Sequence, residues 1–154
     1  MGANTLDILI VDDHPLFREG LKTIVSRDEN FAVCAEAGSG EEGVSLARTH
    51  KPDIVLVDIS MPDKSGIQMI RELKDELPLT RFVIISMHSE ADYIVEAFRA
   101  GATGYIIKES AAGQLIKGLN TVAGGNLFLD SALSQEVVFK LLQSAEKRWK
   151  RIKG

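Results

Sequence analysis

"ILIVDDH", residues 8–14, sets four aliphatic side chains directly against two adjacent carboxylates and a histidine. A half-exposed strand alternates apolar with polar residues, whereas a strand covered on both faces is apolar throughout. The run at 8–11 is of the second kind and predicts a strand buried on both faces, as in a parallel sheet. Its abrupt polar end needs a reason, because desolvating a charged group costs several kcal/mol or more. Asp12 and Asp13 therefore read as a catalytic pair, a metal site or the polar start of a loop.

Four further runs share this character: "FAVCAEA" (31–37), "DIVLVD" (53–58), "RFVIIS" (81–86) and "GYIIK" (104–108). Helical patterns separate them. The first, 15–27, has Pro15 in its first turn and Leu16, Phe17, Leu21, Ile24 and Val25 on an apolar side. Others cover roughly 40–50, 66–76, 90–100 and 111–123, with Gly101 and the Gly124-Gly125 pair as stop signals. Five strands alternating with five helices predict right-handed crossovers and a doubly wound, five-stranded parallel α/β sheet. There is no internal repeat and no low-complexity segment.

The bulk numbers agree with one such domain and a short appendage: 154 residues, 45% hydrophobic and 26% charged. A net charge of −4 gives no global argument for nucleic-acid or membrane binding. No apolar run approaches the ~18 residues of a membrane span, and the first residues lack a signal-peptide layout. Cys34 is the only cysteine, so no disulfide framework exists and a reducing cytoplasm is the expected location. Within an apolar strand, Cys34 reads as an inert core residue.

Residues 126–154 do not continue the alternation. "DSALSQEVVFKLLQSAEKRWKRIKG" (130–154) reads as a sixth helix, capped at Asp130 or Ser131. Val138, Leu142, Ala145, Trp149 and Ile152 follow heptad spacing, but over two heptads, short of the three or four that define a coiled coil. This side is expected either to pair with a second copy, giving a homodimer, or to fold back on the domain. Residues 134–154 hold six basic side chains against two acidic ones, so the tail is +4 and the rest of the chain −8. The basic run "KRWKRIK" (147–153) reads as a solvated helix face, with Trp149 on the apolar side.

The polar residues fall in a pattern. The first strand ends in Asp12-Asp13, the third in Asp58, the fourth in Ser86 and the fifth in Lys108. In a parallel sheet these ends share the carboxyl edge, where open α/β sheets bind ligands. Three clustered carboxylates raise one another's pKa unless a cation intervenes, and oxygen-only ligands favour a hard ion such as Mg²⁺. A lysine adds a second positive charge suited to a phosphoryl oxygen. Together the groups fit a carboxylate that accepts a phosphoryl group. Taken singly, Asp12 and Asp13 would read as loop residues, Asp58 as a turn cap and Tyr105 as a strand aromatic. Position is what gives them weight.

Four segments in order, "VDDHPLFREGL" (11–21), "DIVLVDISMPDKSGI" (53–67), "FVIISMHS" (82–89) and "GATGYIIKE" (101–109), resemble the receiver domain of two-component response regulators. The resemblance is strongest to the NarL/FixJ subfamily, whose members carry LuxR-type DNA-binding output domains, and it covers about residues 6–125. It implies a flavodoxin-like (CheY-like) sheet of order 2-1-3-4-5. Asp58 would be the phosphoacceptor, with Asp13 and Asp58 ligating Mg²⁺, Asp12 helping through water, and the backbone carbonyl of Ser60 a further ligand. Lys108 would contact the phosphoryl group, and Ser86 with Tyr105 would form a switch pair. On phosphorylation Ser86 would be drawn to the phosphoryl group and Tyr105 would turn inward, repacking the face of the fourth helix, fifth strand and fifth helix. Ser60 and His88, each two residues past a site residue, would set the lifetime of the acyl phosphate. His14, just before Pro15, reads as a helix cap at the site rim.

The expectation is a phosphorylation-dependent signalling switch, a self-modifying substrate more than a turnover enzyme. Its partners would be a sensor histidine kinase and, through an output domain absent from this chain, DNA. No membrane partner is expected. Residues 1–125 would be the receiver domain and 126–154 a linker helix; a stand-alone receiver acting through protein contacts is the alternative. A haloacid-dehalogenase-like phosphatase would need a second aspartate at position 60, where this chain has Ser60, and a substrate-binding cap. A flavodoxin-like cofactor binder would need a phosphate-cradling loop, which is not found, and three acids at the edge would repel its phosphate.

Overall fold

The computed structural model describes residues 5–133, together with 139, 140, 142, 143, 146, 147 and 151. The elements run β1 (Leu6–Val11), α1 (Pro15–Ser26), β2 (Phe31–Ala37), α2 (Gly40–His50), β3 (Ile54–Val57), α3 (Gly66–Leu73), β4 (Arg81–Ser86), α4 (Ala91–Ala100), β5 (Gly104–Ile107), α5 (Ala111–Ala123) and β6 (Phe128–Leu129). All pairings are parallel and the sheet order is β2-β1-β3-β4-β5-β6. The expected 2-1-3-4-5 order is therefore present.

β6 departs from the expectation of a linker helix over 126–154. It pairs Phe128 with Gly104 and Leu129 with Tyr105. Phe128 is buried with the side chains of α5, so this pairing extends the core by one short strand.

The continuous apolar runs serve two cores. Leu9, Val11, Val55, Val57 and Ile84 face one cluster with α2, α3 and α4; Ile8, Ile10, Ile54, Leu56 and Ile85 face the other with α1 and α5. Alternate side chains thus point to opposite faces, and both faces are covered. Each fully buried Leu or Ile contributes about 1.5–3 kcal/mol relative to exposure.

Two local details position the site. His14 is the N-cap of α1 with Pro15 at the helix start, as expected, but its ring makes no capping bond. At α3, Ser65 and Gln68 form a capping box, and Gly66 donates to the Ile59 carbonyl at 3.0 Å. A Cβ at Gly66 would overlap the Asp58 carbonyl, so only glycine allows α3 to start this close to the end of β3.

The sixth helix is only partly within the described residues. Positions 139, 140, 142, 143, 146, 147 and 151 are helical, and Lys140 Nζ lies 3.7 Å from Asp92 of α4. Leu142 is exposed, while Val138, Ala145, Trp149 and Ile152 of the predicted apolar side lie outside the described residues.

Candidate functional site

The polar ends of β1, β3 and β5 reach one small volume. Among the described residues, single donor atoms of Asp12, Asp13, His14 and Asp58 lie within 4.8 Å of one another. Asp12 and Asp58 are buried at the floor, while the Asp13 and His14 side chains are 25% and 61% exposed and open the cluster to solvent.

Lys108 enters from the end of β5. Its Nζ donates to Asp58 Oδ2 at 3.0 Å and lies 2.9 Å from Asp12 Oδ2, so one ammonium bridges two buried carboxylates. The Asp12 contact is an ion pair without an aligned hydrogen bond. The ammonium also sits 4.5 Å from the centre of the Phe17 ring, a cation–π position. The sequence assigned Phe17 only to the apolar side of α1.

The remaining lone pairs are informative. Asp58 Oδ1 accepts from the Ser60 amide at 3.1 Å, and Asp12 Oδ1 accepts from the His14 amide at 2.8 Å. Asp12 Oδ2 and Asp13 Oδ1 are buried without an aligned hydrogen-bond donor. Three carboxylates crowded together with a single ammonium are what a hard cation with oxygen ligands would bind. The residues present therefore fit a divalent ion.

The electrostatics follow from a cluster of three acids in which one ammonium pairs with two, Asp12 and Asp58. Burial pushes the Asp58 carboxyl above its ordinary value, against the pull of Lys108 and the Ser60 N–H, and Asp12 pushes the same way. Burial alone would lower the Lys108 ammonium, but its ion pairs with Asp12 and Asp58 outweigh that and hold it raised. The Lys108 direction reflects the two carboxylates beside it, whereas the Asp58 direction is set chiefly by burial.

His14 does more than the sequence suggested. Its Nδ1 lies 3.0 Å from Asp12, 3.2 Å from Asp13, 3.8 Å from Asp58 and 3.2 Å from Lys108 Nζ. It is a rim residue that touches the whole cluster. The signal available was its adjacency to the two acids. Arg18, which the sequence did not single out, donates to the Asp12 carbonyl at 2.6 Å and to Glu36 at 2.8 Å, fixing the loop after β1.

Ser86, Tyr105, His88 and Ser60 form a second group joined at His88. The buried Ser86 Oγ accepts from the His88 amide at 3.0 Å, and the Tyr105 hydroxyl donates to the His88 carbonyl at 2.8 Å. The His88 ring bonds Ser60 Oγ through Nε2 at 3.1 Å and stacks on Tyr93, centres 4.3 Å apart. Tyr105 is fully buried, and burial raises its phenol well above the usual value. The resemblance implies that Tyr105 turns inward on phosphorylation; here it is already inward, held by its bond to the His88 carbonyl.

The family model described as "Response regulator receiver domain" matches residues 8–120. The chain is 34% identical over 138 residues to the transcriptional regulatory protein DegU of Brevibacillus brevis, covering 90% of this chain and 58% of that protein. It is 35% identical over 127 residues to the nitrate/nitrite response regulator protein NarL of Escherichia coli, covering 82% of this chain and 59% of the relative. The chain thus spans less than two thirds of these relatives. Among solved structures, a LuxR-family two-component response regulator from Aurantimonas sp. superposes with a TM-score of 0.80 at 31% identity, covering 92% of this chain and 98% of the other. The signal receiver domain of a NarL regulator from Mycobacterium tuberculosis gives 0.76 at 34% identity, covering 80% and 99%.

Proposed function

The chain belongs to the response regulator receiver domain family, with LuxR-family regulators among its relatives, and from that premise we propose that Asp58 accepts a phosphoryl group from a sensor histidine kinase. The observation that carries this reading is Lys108 bridging Asp12 and Asp58 at 2.9 and 3.0 Å, in a cluster to which Asp13 adds a third carboxylate.

Asp12, Asp13, Asp58 and the backbone carbonyl of Ser60 would hold Mg²⁺. When bound, the ion supplies positive charge that offsets the carboxylates and the incoming phosphoryl oxygens. The protein's own groups do the rest. Asp58 Oδ2 forms the new bond to phosphorus as the donor's bond to phosphorus breaks. Lys108 is already hydrogen-bonded to that oxygen and needs only a small shift to pair with a phosphoryl oxygen. The Ser60 amide holds Asp58 Oδ1 and orients the nucleophile.

The switch follows from the second group. If the Ser86 hydroxyl turns to the phosphoryl group, it leaves the His88 amide, and the same residue's carbonyl holds Tyr105. Ser86 and Tyr105 are thus coupled through one residue, and the change expected is in what anchors Tyr105 rather than in its burial. That alters the α4–β5–α5 face, which would control a transcriptional output carried by a further domain. Ser60 and His88, bonded to each other at the site edge, would set how readily water reaches the phosphoryl group. The protein is on this reading a self-modifying substrate, not a turnover enzyme.

Amide NMR spectra with Mg²⁺ and beryllofluoride test the proposal. Ser86, His88 and Tyr105 signals should shift together in the wild type and stay fixed in Asp58→Ala. Equal shifts in both proteins would overturn it.

A further inference from the structure

Asp130 is a buried carboxylate with no part in the chemistry above, 2% exposed and placed just after β6. Its amide donates to the Tyr105 carbonyl at 3.0 Å, which continues the β5–β6 ladder. In a parallel ladder the next rung would run from the Ile107 amide to the backbone carbonyl of Asp130. Here that amide donates instead to Asp130 Oδ2 at 2.9 Å. The side chain stands in for its own backbone.

The substitution frees the Asp130 carbonyl, which accepts from Leu133 at 3.0 Å, and Oδ1 accepts from the Ala132 amide at 2.9 Å. Ser131 donates to Gln114 of α5 at 3.3 Å. One residue therefore closes the last rung of β5 and also makes the turn by which the chain leaves the sheet. The rung it closes lies between Tyr105 and Lys108. Leu129 and Leu133 pack against the core cluster that includes Tyr105 and Ile107, so the connection is packed as well as hydrogen-bonded.

We propose that Asp130 is a positioning residue that ties the end of β5, where Lys108 begins, to the segment following β6, so that occupancy of Asp58 is transmitted to residues 131–133. The proposal rests on Asp58 being the phosphoacceptor. Recruitment of Lys108 toward a phosphoryl group loads the Ile107 rung, and the two carboxylate oxygens carry that load from β5 to the Ala132 turn. Only a group with two acceptor oxygens serves both amides. In Asp130→Asn the amide NH₂ must face one of two N–H donors, so one link is broken while shape is kept.

Residue-resolved hydrogen exchange on the full chain, with Mg²⁺ and with or without beryllofluoride, reads the coupling. In the wild type, beryllofluoride should slow exchange at Ile107 and Ala132 together, by about threefold or more. In D130N, Asp58 should still take a phosphoryl group from a small phosphodonor with Mg²⁺, read by mass, but the Ala132 response to beryllofluoride should vanish. A variant weakened at the amino-terminal ends of β3 and β4, Thr80→Ala, loses the hydrogen bond to the Pro52 carbonyl and should keep the response, which separates positioning from mere loss of stability. An unchanged Ala132 response in D130N overturns the proposal. The wild type decides alone if D130N does not fold: modification at Asp58 without a response at Ala132 overturns the coupling only. No modification at Asp58 overturns the phosphoacceptor reading and the coupling with it.

Discussion

Lys108→Met isolates the charge that holds the site together. Methionine keeps an apolar stem near Phe17 while removing the ammonium from between Asp12 and Asp58. Breaking a buried ion pair by removing one partner costs about 3–5 kcal/mol, because an uncompensated charge stays behind. Here the cluster opens to water past Asp13 and His14, which favours the lower end, about 3 kcal/mol. For a chain of this size that is about 6–12 °C in Tm. The loss should be largely reversible by Mg²⁺, since binding at a hundred times Kd contributes about 2.7 kcal/mol. The variant should also bind Mg²⁺ at least about tenfold more tightly than the wild type, because a competing positive charge is gone. Urea denaturation followed by circular dichroism, in EDTA and in excess Mg²⁺, measures both. A variant within ~0.5 kcal/mol of the wild type in EDTA, or one that gains no more from Mg²⁺ than the wild type does, would refute the shared-ammonium picture.

Other outcomes follow from the same geometry. Gly66→Ala places a methyl group against the Asp58 carbonyl and should cost about 1–3 kcal/mol and slow phosphorylation; unchanged urea midpoint and rate would contradict that packing. Ser60→Ala and His88→Ala should each alter the decay of the phosphorylated protein, and unchanged decay in both would end the rim assignment. Tyr105 has a raised folded pKa, so its contribution to stability is full below the unfolded value of about 10 and declines as pH rises beyond it. Tyr105→Phe should remove that part of the alkaline slope in a pH series of melts; an identical slope would show that the phenol is not held as described.

The main lines of this molecule were legible because burial on both strand faces leaves a continuous apolar signature. "ILIV" and "DIVLVD" could be read as central strands, and their polar ends then had to share an edge. Asp12, Asp13, Asp58 and Lys108 meet there as expected. What stayed illegible was short or conformational. β6 is a two-residue strand, too brief to show any period, and Asp130 read as a helix cap because Asp commonly starts a turn. It does accept from Ala132, yet its second oxygen completes a ladder, which no local pattern encodes. Tyr105's inward placement depends on the His88 carbonyl, a partner set by tertiary structure. His14 could be placed at the start of α1, but the direction of its ring could not.

The central claim is that Asp58 is the residue modified. Tandem mass spectrometry after incubation with Mg²⁺ and a small phosphodonor, with the acyl phosphate trapped by borohydride reduction, locates the site directly. The account predicts a single modified peptide with the label on Asp58, absent from Asp58→Ala. Label on Asp12, Asp13 or His14 in the wild type, or equal yield in Asp58→Ala, would contradict it.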